Sequence, residues 1–225
     1  MSLSRLSAAL LCSAMLLCIT SASAATVKQD WQLDGQEKGL SFTNSIERLA
    51  TQRGFACRFD QLMEFSDGGG KHYSGDLAIL KPGHFRWQYR KPYDQLYVGD
   101  GQVIWHYEPD LLQAERLTDL ETINPVVMKL LDGRVPLADI RVVERSFDAE
   151  RNIHRFKVQV TDAPQVWLGF SLQGNLVYIE RQDLLGNRNM MHLSDCSYVA
   201  PAEKLFSFTP PDGVDVLDLR STVSE

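Results

Sequence analysis

The feature that most constrains this chain is a run of two-residue alternation between Tyr73 and Tyr107. Leu77 and Ile79 share one side of a strand, and Phe85, Trp87 and Tyr89 alternate with Arg86 and Gln88. Leu96 and Val98 alternate with Gln95 and Tyr97, and Val103, Trp105 and Tyr107 with Ile104 and His106. A period of two sends successive side chains to opposite faces, so the pattern predicts strands with one apolar and one wet face. The links are short. Lys81-Pro82-Gly83-His84 and Lys91-Pro92-Tyr93-Asp94 read as turns, and Asp100-Gly101 favours a tight hairpin. Strands joined in this way form an antiparallel meander.

The second half continues in the same style. Residues 141–145, 153–160, 166–172, 176–182, 188–193 and 206–209 read as strands, with turns at Gly174-Asn175 and Gly186-Asn187. That is more strand than one flat sheet accommodates, so the sheet is expected to curl toward a barrel. Two segments have helical spacing instead. Residues 43–52 carry Ile46 and Leu49 on one stripe. Residues 118–131 carry Val126, Val127, Leu130 and Leu131, with Asn124-Pro125 at a start or kink and Gly133 just past the end. The polar tail from Pro210 onward is expected to be partly loose.

The start of the chain sets the compartment. Residues 1–5 give a basic start, residues 6–19 an apolar run, and residues 20–25 small side chains. This is the layout of a secretory signal peptide, and the apolar run is shorter than the roughly 20 residues that span a bilayer. Ala22-Ser23-Ala24 fits a cleavage site, which predicts a signal peptide over residues 1–24 and a single domain over 25–225. Leu11 and Leu17 precede Cys12 and Cys18, where a lipoprotein signal wants a small residue, so no lipid anchor is expected. The remaining cysteines, Cys57 and Cys196, invite a disulfide in an oxidising compartment, the alternative being two buried thiols. Removing Arg5 with the signal leaves 29 acidic against 22 basic residues, a net charge of −7. That balance disfavours nucleic acid and steady adhesion to anionic membranes.

Catalytic motifs are missing. His72, His84, His106, His154 and His192 form no two-histidine zinc motif, and none lies beside a G-x-S-x-G nucleophile. Gly68-Gly69-Gly70 lacks the Lys-Ser/Thr of a phosphate cradle and reads as a hairpin tip. No enzyme activity, cofactor or metal is expected. The positive signal is aromatic: Phe85, Trp87, Trp105 and Tyr107 fall within 23 residues. Either the sheet covers its own core with them, or its concave face is too wide to fill and a short amphipathic helix closes an apolar cavity. Such a cavity would extract an acyl chain at roughly 0.8 kcal/mol per buried methylene.

Residues 75–113 read GDLAILKPGHFRWQYRKPYDQLYVGDGQVIWHYEPDLLQ, and residues 206–214 read FSFTPPDGV. The elements Lys81-Pro82, Phe85 with Trp87, Pro92, Asp100-Gly101, Trp105 with Tyr107, and Gln113, followed far downstream by F-x-F-x-P-P-x-G-V, closely resemble the periplasmic lipoprotein carriers of Gram-negative bacteria, the LolA family. The resemblance implies an incomplete antiparallel barrel whose helical lid covers an apolar cavity. It implies a periplasmic monomer that takes acylated lipoproteins from an inner-membrane ABC-type release complex and hands them to an outer-membrane receptor. Nothing is hydrolysed by the carrier, and it does not insert stably into a membrane. The cavity would then involve Leu77, Ile79, Phe85, Trp87, Leu96, Val98, Trp105 and Tyr107, with Phe85 aiding hand-off. The lid would be Pro125, Val126, Val127, Leu130 and Leu131, and Lys81 stands where relatives carry an arginine bonded to lid backbone. Lysine keeps the charge but loses the forked donor. A Cys57–Cys196 bridge would pin the first strand to a late one and narrow one edge of the barrel. The alternative reading is a periplasmic lipid- or lipoprotein-binding sensor or assembly protein of the same fold.

Overall fold

The alternating segments pair in the order they are written. A computed structural model of the chain describes residues 40–117 and 125–219. The signal segment and the first seven residues of the expected second helix lie outside these. The first meander comprises β1 (Gly54–Glu64), β2 (Gly70–Leu80), β3 (His84–Lys91), β4 (Gln95–Asp100), β5 (Ile104–Glu108) and β6 (Gln113–Leu117). The second comprises β7 (Ile140–Asp148), β8 (Ile153–Val160), β9 (Val166–Ser171), β10 (Leu176–Gln182) and β11 (Arg188–Ser197). Antiparallel pairing of β1 with β11 joins them, and β12 (Asp215–Asp218) adds to β6 in parallel. The result is one twelve-stranded open sheet, in the order β12-β6-β5-β4-β3-β2-β1-β11-β10-β9-β8-β7.

Among the described residues, two helices occupy the concave side. The first, α1 (Phe42–Thr51), starts at Ser41, whose hydroxyl accepts from the Asn44 N–H at 3.4 Å. Phe42, Ile46 and Leu49, spaced at i, i+4 and i+7, are buried, and Phe42 sits 5.1 Å from the Phe156 ring. The second, α2 (Pro125–Leu131), ends where Gly133 takes φ +71°, a left-handed value that suits glycine. Its last carbonyls are satisfied there: Gly133 N–H donates to Leu130 O at 3.1 Å and Arg134 N–H to Lys129 O at 2.9 Å. Val126, Val127, Met128, Leu130 and Leu131 are all buried in the same core as Phe55, Phe59, Leu77, Ile79 and Phe85.

The C-terminal region departs from expectation. Residues 206–209 are not a strand: a 3-10 turn over Glu203–Phe206 is followed by an extended, unpaired segment. Pro210 and Pro211 have no N–H for a ladder, and the alternating Phe206 and Phe208 serve packing instead. Nor is the described tail loose. β12 lies along β6, with the Asp215 N–H donating to Leu112 O at 2.8 Å and the Leu219 N–H to Arg116 O at 2.9 Å. Its four side chains are exposed, and no amphipathic pattern announces it.

Cys57 and Cys196 are bonded, 139 residues apart in sequence. They join β1 to β11 beside a register shift between Ala56 and Arg58, where Ala56 faces Ser197 and Arg58 faces Ser194. Those strands are central in the sheet order, so the bridge clamps the seam between the two meanders rather than an edge of the barrel.

Candidate functional site

Register decides which side chains meet. The link between β3 and β4 places Trp87 opposite Tyr97 and Phe85 opposite Gly99, leaving Gln88 opposite Leu96 and Arg86 opposite Val98. The next hairpin places Tyr97 opposite His106, Leu96 opposite Tyr107 and Val98 opposite Trp105. Directly opposed residues share a face. The concave face therefore takes Leu77, Ile79, Phe85, Trp87, Tyr89, Tyr97 and His106, whereas Leu96, Val98, Trp105 and Tyr107 face the convex side. There they pack with Ala78, Leu80 and Phe206 and, through rings 5.8 and 5.3 Å from Trp105 and Tyr107, with Phe208. The eight residues expected together around one cavity are split between two faces.

The concave residues also divide. Leu77, Ile79 and Phe85 are 1–2% exposed and sealed in the core. Phe85 fills the space a side chain at position 99 would need, because a Cβ on Gly99 would lie 2.3 Å from its ring. Trp87 is the residue of the expected set that lines a cavity of about 250 Å³ bounded by Gln61, Met63, Tyr73, Trp87, Tyr89, Gln95, Tyr97, Val127, Ile179, Arg181, Asn189 and Met191. Sequence reading missed most of these. Tyr89 was visible as the third aromatic of the Phe85-x-Trp87-x-Tyr89 row; Ile179, Arg181, Asn189 and Met191 carried no signal without the β1–β11 pairing.

An aromatic wall runs across this cavity. Tyr89 has its ring 5.2 Å from Phe59, 5.8 Å from Tyr73, 6.4 Å from Tyr97 and 6.5 Å from Trp87. Burial foremost, and then the neighbouring Tyr97 hydroxyl, push the Tyr89 phenol well above its ordinary value. Tyr97 is raised by burial and then by Glu108 and Glu115. It stacks on His106 at 4.2 Å, and His106 Nδ1 lies 3.0 Å from Glu115 Oε2. His106 faces away from Trp105 and has a carboxylate partner. The opposite wall is polar: Gln61 Nε2 donates to Asn189 Oδ1 at 2.8 Å, and Arg181 stands beside Asn189 across the β10–β11 pair.

The second helix reaches the volume through one residue. Val126, Val127, Leu130 and Leu131 are 1–5% exposed and Val127 lines the cavity; Pro125 is the first residue of the helix. Lys81 is placed differently from expectation. Its ammonium donates to the carbonyls of Leu49 and of Ala50, the latter at 3.2 Å, so it caps the C-terminus of α1 and not α2. The physical cause is position: the turn after β2 abuts the last turn of α1, while α2 reaches the same turn through Asp132, whose Oδ1 accepts the Gly83 N–H at 2.8 Å. Burial holds the Lys81 ammonium below its ordinary pKa, partly offset by Asp132. Among the described residues no cluster of three His, Cys, Asp or Glu side chains is arranged to hold a metal ion, and no helix is long and apolar enough to cross a membrane.

The open, mainly antiparallel sheet has known counterparts in fold. A crystal structure of an uncharacterized conserved protein from Thermus thermophilus superposes with a TM-score of 0.52 at 10% identity, covering 78% of this chain and 98% of that one, which shows likeness of fold. An outer-membrane lipoprotein carrier protein of Chromobacterium violaceum is 35% identical over 164 residues, covering 67% of this chain and 74% of the relative. One from Bordetella pertussis is 29% identical over 206 residues, 90% of this chain and 95% of the relative. The family described as "Outer membrane lipoprotein carrier protein LolA" matches residues 50–209. The chain belongs to the LolA family, a family of lipoprotein carriers and not of enzymes.

Proposed function

We infer that this protein is exported with loss of residues 1–24, works in the periplasm as one carrier domain over residues 25–225, and shields the acyl chains of lipoproteins between membranes. Its donor is an inner-membrane ABC-type release complex and its acceptor an outer-membrane receptor. The observation that carries the reading is the placement of α2: its apolar residues lie on the concave face of an open sheet, where they fill space an acyl chain can also fill. The cavity of about 250 Å³ is below the ~300–1,000 Å³ of ordinary small-molecule sites. Several acyl chains therefore enter only as α2 leaves, and affinity becomes the difference between two similar hydrophobic terms. That balance suits a protein that must release what it binds.

Native mass spectrometry of the exported chain, co-expressed with an acylated lipoprotein, tests the proposal. A one-to-one complex that disappears when the cargo's acylated cysteine is replaced supports carriage. Retention of the complex without acylation, or an empty protein throughout, rejects it.

A further inference from the structure

The polar groups of the cavity wall are sorted along the strands. Cross-strand pairing sets Ile179, Met191, Gln61 and Tyr73 in one row, and Arg181, Asn189 and Met63 in the next. β10 ends at Gln182 and β11 begins at Arg188, so the second row is the rim. Arg181 has no carboxylate within ion-pair distance among the described residues. Asp183, two positions on, feels the Arg181 charge, but its hydrogen bonds go elsewhere: it accepts from Leu185 N–H at 2.9 Å, Asn187 N–H at 3.0 Å and Asn187 Nδ2 at 2.8 Å. The Asn189 oxygen is taken by Gln61, which leaves its donating side beside Arg181. Deeper in the wall, the buried Trp87 indole N–H and Gln61 Oε1 find no hydrogen-bond partner among the described residues. A rim rich in donors thus opens on an aromatic and thioether interior.

We propose that this cavity binds a single-chain anionic amphiphile, one acyl chain ending in a carboxylate or a phosphate, with the head on Arg181 and the tail against Met191, Ile179, Trp87 and Val127. The volume is about 250 Å³. One short chain fits while α2 stays in place, and several do not. A guanidinium with no direct carboxylate contact selects an anion over a neutral glyceride head, because charge-assisted hydrogen bonds are about twice as strong as neutral ones. The site is distinct in kind from lipoprotein carriage, which needs α2 displaced, so either reading survives failure of the other.

The test is calorimetric titration of the exported chain with octanoate, octyl phosphate and 1-octanoylglycerol, each below its micelle concentration, in the native protein and in R181Q and R181K. Loss of a charge-assisted contact is expected to weaken anion binding about tenfold or more in R181Q. Binding of 1-octanoylglycerol should change less than about threefold, and R181K should keep part of the anion preference. A response to octanoate alone assigns a fatty-acid head, and one to octyl phosphate alone a phospholipid-derived head; either supports the site. Equal affinity for all three heads, an anion preference that survives R181Q, or no binding of any probe overturns it. Retention of the lipoprotein complex by R181Q in native mass spectrometry separates this result from the carrier reading.

Discussion

If α2 is displaced by cargo, weakening its grip on the sheet should tighten binding of cargo. Five of its residues, Val126, Val127, Met128, Leu130 and Leu131, are 1–5% exposed. Full burial of such side chains is worth about 1.5–3 kcal/mol each, which puts the gross hold of the helix near ~10 kcal/mol. An acyl chain burying about a dozen methylenes at ~0.8 kcal/mol each matches that figure. Val127→Ala removes two methyl groups from the closed state, about 1.5 kcal/mol, and alanine favours the helix itself, so α2 still forms. A diacylated lipopeptide that must lift α2 should then bind about tenfold more tightly. The assay is competition against a fluorescent acyl probe, with far-UV circular dichroism confirming an unchanged fold. Unaltered or weaker affinity would show that α2 stays on the ligand and that the displacement argument is wrong.

Removing the disulfide should lower stability without moving the cavity. For a 139-residue separation the chain-entropy model gives about 5 kcal/mol, and measured losses of native bridges run to about 2–5 kcal/mol. A urea midpoint within experimental error of the native protein's for Cys57→Ser with Cys196→Ser would contradict this. Phe85→Ala should destabilise by about 3–5 kcal/mol, and a charged residue there should abolish folding instead of selectively spoiling hand-off, because the ring is sealed over Gly99. A soluble, transfer-defective Phe85→Lys protein would reverse that conclusion. High pH should destabilise the fold. Burial raises Tyr89, Tyr97, Tyr178 and Tyr198 above the ordinary phenol value near 10, so above pH 10 the native state holds more protons than the unfolded chain and stability falls as pH rises. Lys81 and Arg86, lowered by burial, act in the opposite sense, but two cations stand against four tyrosines. Urea midpoints at pH 8 and pH 11 decide it.

Strand positions were largely legible because alternation is local: residues 153–160 and 176–182 coincide with β8 and β10. The sign of each face was not. Alternation says that Leu96 and Tyr97 point to opposite sides, but which is concave depends on the register with β3, and a one-residue slip exchanges the faces. Both faces here are apolar, since Phe206 and Phe208 cover the convex one, so hydrophobicity offered no clue. For the same reason Trp105 and Tyr107 read as cavity aromatics while Tyr97 went unnoticed. The Arg181 row escaped because it comes from pairing between distant segments. β12 escaped because an edge strand with four exposed side chains has no pattern to read.

The contacts of α2 also say how it would open. Its C-terminal end is tied by polar bonds: Asp132 accepts the Gly83 N–H at 2.8 Å and pairs with Arg134. Lys81 fastens α1 beside the same turn and attracts Asp132. Toward its other end, Val126 and Val127 are held by apolar packing. Apolar contacts are non-directional and are replaced by acyl chain with little net change, whereas a buried carboxylate stripped of its donors costs about 1–3 kcal/mol or more. Opening should therefore proceed from Pro125, with Asp132 and Gly133 as the pivot, and Asp132→Ala should loosen both ends together. The expected signature is faster exchange of bound lipopeptide in Asp132→Ala, with an affinity gain smaller than that of Val127→Ala. Deuterium uptake should rise across residues 128–131 in that variant. Unchanged exchange kinetics and protection would mean that the turn contact is only structural and that the helix leaves as a rigid whole.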